Sequence, residues 1–140
     1  MYQMHEGTLE LPLEWQDKTM NVFVSQATGT EGVSFVITRE RLPWGMKFHE
    51  YKVSEIRKIS GKVPGYAAVS SDEDEVSGRS AYAHEFTWSN NGASIHQRLT
   101  MVEYGDVVLM LTFTAPGTVS DSQREQIRNV VASLQLRAPD

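Results

Sequence analysis

The run Tyr82-Ala83-His84-Glu85-Phe86-Thr87-Trp88-Ser89-Asn90-Asn91-Gly92-Ala93-Ser94-Ile95-His96-Gln97-Arg98-Leu99-Thr100-Met101 decides the fold. Asn91-Gly92 divides two β-rich segments, and Asn-Gly suits a two-residue type I′ turn because both residues there need positive φ. Taking these two as the loop fixes a register. Asn90 meets Ala93, Trp88 meets Ile95, Phe86 meets Gln97, His84 meets Leu99 and Tyr82 meets Met101. Strand side chains alternate, so all of these share one face. The other face pairs Thr87 with His96, Glu85 with Arg98 and Ala83 with Thr100. The opposite charges of Glu85 and Arg98 fall directly across the ladder.

Working outward, Gly105-Asp106 makes a second hairpin. It pairs Tyr104 with Val107, Val102 with Leu109, Thr100 with Leu111 and Arg98 with Phe113. The first face gains Met110, Thr112 and Thr114, and the second gains Val107, Leu109, Leu111 and Phe113. Both faces of the meander are apolar and both need cover. Upstream, Thr19 to Ala27 and Gly32 to Arg39 read as strands around a turn at Thr28-Gly29-Thr30-Glu31. Pro43-Trp44-Gly45 then breaks the chain, and Met46, His49, Val53 and Ile56 recur at helical spacing until Gly61 and Pro64. Tyr66 to Ser70 reads as a short strand. Asp72-Glu73-Asp74-Glu75, inside Ser70 to Gly78, reads as a solvated acidic loop with a possible docking role. Asp121 to Leu134 is a second helix, capped by Ser120 or Asp121, with a stripe of Ile127, Val130, Val131 and Leu134. The class is α+β, one domain over residues 1–140, with two main helices. One helix on each face would close the core. Both on one side would leave the other face for a partner.

Composition narrows the function. The 140 residues are 40% hydrophobic and 22% charged, with a net charge of -5. That is a globular chain without a long basic run, so no nucleic-acid partner is expected. The absence of cysteine excludes disulfides, thiol nucleophiles and zinc-thiolate sites. Met1 to Leu13 has no basic segment before an apolar one, and no run approaches the ~20 apolar residues that span a bilayer. The expectation is a cytoplasmic protein, not itself in a membrane.

The chemistry-bearing motifs are missing. His5, His49, His84 and His96 form no metal-binding pair, and the register separates His84 from His96. No nucleophile elbow, phosphate loop or dinucleotide fingerprint is present. No catalytic residue, metal or cofactor is expected. Glu85 could act with His96 only in a shared pocket, and pairing with Arg98 is the simpler role. Gln97 stands out as a neutral amide among Ile95, Leu99, Met101 and Phe86. It either bonds a neighbouring strand or serves as a polar hook for a guest on an apolar face.

The order of segments resembles a known family. Glu6-Gly7, Leu9, Leu11 and Pro12 form an E-G-x-L-x-L-P pattern, followed by a strand pair and a helix after Arg41-Leu42-Pro43. Then come His96-Gln97-Arg98, a V-V-L-M-L-T-F-T strand and a closing helix. This is similar to the Eag (effector-associated) chaperones of bacterial type VI secretion, whose fold is DcrB-like and PsbP-like. The resemblance implies a strongly twisted antiparallel sheet and a cytoplasmic homodimer. It implies a partner, a transmembrane-containing effector, whose N-terminal membrane segments are kept soluble. It also implies loading of that toxin, through its PAAR region, onto the secretion spike protein. Gln97 matches the glutamine of the family's H-Q-R strand. Val22, Val24, Phe35 and Ile37 of the first hairpin, with Leu99 and Met101 of the meander, are the other effector-binding candidates, or else core beneath the helices. A soluble adaptor for a folded partner and a small enzyme with a pocket in the sheet are the alternative readings.

Overall fold

The computed structural model describes residues 1–25 and 32–139. A short hairpin, β1 (Tyr2–Gln3) with β2 (Thr8–Leu9), opens the chain. The main sheet contains β3 (Asn21–Val24), β4 (Ser34–Arg41), β5 (Ala67–Val76), β6 (Arg79–Asn90), β7 (Ala93–Tyr104) and β8 (Val107–Pro116). Helix α1 (Phe48–Lys62) follows β4, and α2 (Asp121–Ala132) follows β8. The six strands are antiparallel in the order β3-β4-β8-β7-β6-β5. The expected turn at Thr28 to Glu31 lies outside the described residues.

Both meander registers match the sequence reading pair for pair, from Asn90–Ala93 to Tyr82–Met101 and from Tyr104–Val107 to Arg98–Phe113. Asn91 and Gly92 have φ of 52° and 87°, as a type I′ turn demands. In the second loop only Gly105, at φ 63°, is positive, the pattern of a type II′ turn.

The acidic run needs a correction. Asp72 to Glu75 are not a loop but the outer half of β5, paired with Ala83 to Ser80 of β6. Ser77-Gly78, with φ of 53° and 77°, turns the chain tightly and leaves everything before it free to pair. Exposed edge-strand side chains reach water on either face, so four carboxylates fit there without burial. Glu73 also accepts from Lys52 of α1 at 2.6 Å.

The helices cover opposite faces. Phe48 and Tyr51 of α1 pack with Leu99, Met101, Val108 and Met110 on the first face. Ile127 and Val131 of α2 pack over Phe113, Ala115, Leu111 and Val102 on the second. Of the expected α1 stripe, Met46 and Ile56 pack against the core, but His49 is exposed and Val53 is 52% exposed, and Phe48 and Tyr51 take the buried positions instead. Pro64 ends α1 by forcing Val63 into extended backbone, at φ -102° and ψ 133°. In α2 the stripe is Ile127 and Val131, with Val130 outside. Ser120 caps α2 reciprocally: its Oγ accepts from Gln123 N at 3.1 Å and its own N–H donates to Gln123 Oε1 at 2.9 Å. Ser120→Ala is expected to lower stability by ~1 kcal/mol in thermal denaturation.

Candidate functional site

Helix α1 covers only part of the first face. It lies over Leu99, Met101, Val108 and Met110 and leaves the end of the sheet near the Asn91-Gly92 turn open. Cross-strand registers lay out a row there, Val24, Ser34, Thr114, Gln97 and Phe86, of which Phe86 is already buried against Tyr66. The next row is Val22, Val36, Thr112 and Leu99, so α1's cover begins in that row. Val22 is 59% exposed and Val24 73%. A shallow concavity of 330 Å³ lies on this face, lined in part by Val24, Ser34, Ile95, Thr114 and Pro116.

Gln97 stands at the centre of the row, half-buried. Its Oε1 accepts from Trp88 Nε1 at 2.8 Å, and its Nε2 donates to Thr114 Oγ1 at 2.9 Å. The amide therefore links β6, β7 and β8 and is held in one orientation. A primary amide offers two donors and two acceptor sites, and these bonds use one of each. The strand-bonding reading of Gln97 is realised, and capacity for a further ligand remains.

The other candidates divide between surfaces. Val22 and Val24 share the open face with Gln97. Phe35 and Ile37 do not. Strand alternation turns them to the α2 side, where Phe35 stacks on Phe113 with ring centroids 4.1 Å apart. Leu99 and Met101 lie on the same face as Gln97 but beneath α1, at 4% and 0% exposure, so they serve as core. The sequence reading also passed over Trp88 and Thr114 as site residues. The register already placed both beside Gln97, and their hydrogen-bonding capacity was the available signal.

The histidines are engaged elsewhere. His84, buried on the first face, shares hydrogen bonds of 2.6 Å with Tyr66 Oη and Ser71 Oγ. Burial pushes its pKa down, so the ring is held neutral between two hydroxyls. On the second face, Glu85 gathers three donors. His96 Nε2 lies 2.7 Å from Oε2, and Arg98 and Arg124 donate to Oε1 at 3.1 and 2.5 Å. His96 Nδ1 accepts from the main-chain N–H of Val119 at 3.2 Å. Burial raises the Glu85 pKa, but the bonds from Arg124 and His96 outweigh it and hold the carboxyl below its ordinary range. Both nitrogens of His96 are committed, one as donor and one as acceptor, and the pair ties α2 to the sheet through Arg124 on Glu85 and through Val119, just before the helix, on His96. A nearby hollow of 270 Å³ on this face is lined by Arg98, Thr100 and Ile127, among others, and by neither Glu85 nor His96.

Among the described residues, no group of three or more His, Cys, Asp or Glu side chains could hold a metal ion. Among the same residues, no helix is long and apolar enough to cross a membrane.

Comparison with known proteins places this architecture. Over 115 residues the chain is 28% identical to a Pseudomonas aeruginosa protein named Effector EagT6, with 81% of this chain and 80% of that protein covered. The crystal structure of protein PA94, also from Pseudomonas aeruginosa, superposes at a TM-score of 0.80 with 24% identity, covering 97% of this chain and 95% of that one. The two share a fold. The PsbP protein of Synechocystis aligns at a TM-score of 0.45 and 9% identity over 81% of this chain and 79% of that one, too distant to add to the assignment. The family model described as DcrB matches residues 6–133, nearly the whole chain, and the protein belongs to the DcrB family.

Proposed function

We propose that this protein is a type VI secretion chaperone whose guest is an effector carrying apolar N-terminal membrane segments. It shields those segments before export, works as a homodimer, and helps deliver the effector to the secretion spike. The role is binding, not catalysis. Similarity to a protein named Effector EagT6 supports the association with effectors. The observation that carries the reading is Gln97, a fixed amide with spare hydrogen-bonding capacity on a half-open apolar face.

The physics suits such a guest. A membrane helix in water exposes apolar surface, each Å² of which gains about 25 cal/mol on burial. Val22, Val24 and the hollow between Val24 and Ile95 supply apolar cover. Small hydroxyls at Ser34, Thr112 and Thr114 leave room for a helix to approach the backbone. Gln97 and Thr114 can then bond a serine, threonine or exposed carbonyl on the guest, as polar residues do between helices in a bilayer.

The test is co-expression with a fused apolar N-terminal segment. The wild type is expected to keep the fusion soluble. Gln97→Ala is expected to weaken retention about tenfold while shifting stability by less than ~1 kcal/mol, because Trp88 and Thr114 are half-exposed and water can replace the amide. A fusion that aggregates equally with and without the protein would overturn the chaperone reading. Binding to a folded partner that needs no apolar segment would favour an adaptor.

A further inference from the structure

Helix α2 closes only part of the second face. It ends at Ala132, and the chain beyond it runs along the end of the sheet that carries the Gly105 turn. Leu134 and Leu136 pack on the core there, and Leu136 N–H donates to Ser77 Oγ at 2.9 Å. Gly105 and Pro139 meet so closely that a β-carbon on the glycine would lie 3.2 Å from Pro139 Cβ. On the other side the N-terminal arm, residues 13–18, borders β4, and Arg39 Nη1 donates to Thr19 O at 3.4 Å. Between tail and arm the sheet stays open. Two hollows of 640 and 610 Å³ adjoin there, with Arg39 and Val107 common to both.

The register sets the floor of this trough. Arg39 pairs with Leu109, Arg41 with Val107, and Val107 with Tyr104. Cross-strand partners share a face, so both guanidiniums rise beside an apolar strip. They stand two residues apart on one strand, which spaces them by about 7 Å. Arg137 of the tail and Lys18 of the arm add their charges from the walls. Among the described residues none of these four cations is in an ion pair. Arg39 is oriented by main-chain oxygens, Thr19 O and Ile37 O, and so keeps its charge unneutralised. The acids of the lining are Glu14 and Asp17, and Asp17 Oδ1 is engaged by the N–H and hydroxyl of Thr19. A cationic trough thus stands in a chain of net charge -5. At its lip Leu13 is 101% exposed and Trp15 65%.

We propose that this trough docks an extended acidic segment of a partner protein, one with carboxylates at alternating positions and an apolar side chain beside them. An extended chain repeats its side chains on one face every two residues, at the same spacing of about 7 Å. Carboxylates at such positions therefore meet Arg39 and Arg41 together. Three of the four cations are arginines, whose planar fork takes a carboxylate through two parallel hydrogen bonds. Leu13 and Trp15 supply the contact for an apolar neighbour, and exposed side chains of that size beside a charged trough mark an interaction surface. The recess between arm and tail admits a single chain, whereas a bilayer surface is flat. A nucleic acid would need a longer cationic track than these four side chains. The trough lies on the opposite face of the sheet from Gln97 and at its opposite end. It stands independently of the chaperone reading, and a partner can hold here while the Gln97 face is occupied.

The probe is a fluorescein-labelled peptide, Gly-Glu-Leu-Glu-Phe-Glu-Gly, read by fluorescence anisotropy against the full chain at low salt. Binding is expected, weakening as salt is added. Main-chain amide signals of Arg39, Arg41 and Val107 are expected to shift in NMR spectra while that of Gln97 stays still. Arg41→Glu and Arg137→Glu are each expected to weaken binding roughly tenfold or more with an unchanged thermal melt, because both side chains are exposed. Arg128→Glu, exposed on α2 outside the trough, changes the net charge equally and is expected to leave the affinity within about twofold. The same peptide with glutamine for glutamate is expected not to bind. Absence of binding by the acidic peptide, equal binding by the glutamine peptide, or an equal loss in Arg128→Glu would overturn the proposal. So would phosphatidylglycerol vesicles that bind through Arg41 while the peptide does not, since the surface would then be one for lipid. Should Arg41→Glu fail to fold, Arg137→Glu and the NMR shifts of the wild type decide.

Discussion

Glu85→Ala is expected to lower the free energy of unfolding by ~3–5 kcal/mol, the range for removing one partner from a buried ionic group. The carboxylate is 1% exposed and accepts from His96, Arg98 and Arg124. Its loss hits His96 hardest. That ring is buried, and its Nε2 would face a cavity with no acceptor. The two arginines, 16% and 28% exposed, can turn partly to water, which keeps the loss within this range. Glu85→Gln retains the shape and one acceptor but sets an NH₂ group against donors. A smaller loss of ~1–3 kcal/mol is expected. Acid separates the charge from the packing. The folded-state pKa of Glu85 lies below its ordinary 4.5, so its contribution is complete above that value and is lost as pH falls through the lower folded value. Urea unfolding of wild type and Glu85→Gln from neutral pH down into that acid range should show the gap between them closing. A gap that stayed constant would mean that the charge contributes nothing.

The meander was legible because two independent signals agreed. Asn91-Gly92 fixed a turn by its φ demands, and the Glu85–Arg98 pairing that resulted was chemically sensible. Once one hairpin is fixed, strand alternation dictates the faces of the next, which is why Arg98–Phe113 followed correctly. The misreadings have a common cause. Asp72 to Glu75 look like loop when charge alone is weighed, yet β6 offered them a partner and the Ser77-Gly78 turn provided the geometry. His49 and Val53 fit a helical period, but Phe48 and Tyr51 bury more surface, and tertiary packing chose which positions turn inward. In the candidate site, Gln97 was visible as an anomaly among apolar neighbours. Val22 and Phe35 were grouped as one hairpin surface because the loop between their strands gave no register, and only the observed pairing of Val22 with Val36 sends them to opposite sides. Trp88 was placed opposite Ile95, beside Gln97, but its indole N–H was not weighed as a donor. The cover provided by α1 lies beyond sequence patterning, since periodicity says that a helix has an apolar stripe but not which half of a sheet it shields.

Met101→Ala is expected to destabilise the fold by ~2–5 kcal/mol while leaving guest affinity per folded molecule unchanged. Methionine on a strand of a binding face invites the opposite expectation, because its flexible thioether adapts to varied partners. Here its side chain is fully buried, paired across β8 with Met110 and packed in one cluster with Phe48 and Tyr51 of α1. Truncation leaves a cavity in the apolar layer between α1 and the sheet, and α1 cannot settle into it without losing Leu99 and Val108 on either side. Gln97→Ala is expected to behave inversely, with near-normal stability and weakened guest retention. The two residues are four apart on one strand and face the same way, so the contrast isolates cover by α1 as the variable. Chemical denaturation combined with retention assays on the folded fraction reads both quantities. Loss of guest in Met101→Ala at unchanged stability would require α1 to leave the sheet when the guest arrives, and the binding surface would then extend over Leu99 and Met101 to the full width of the first face.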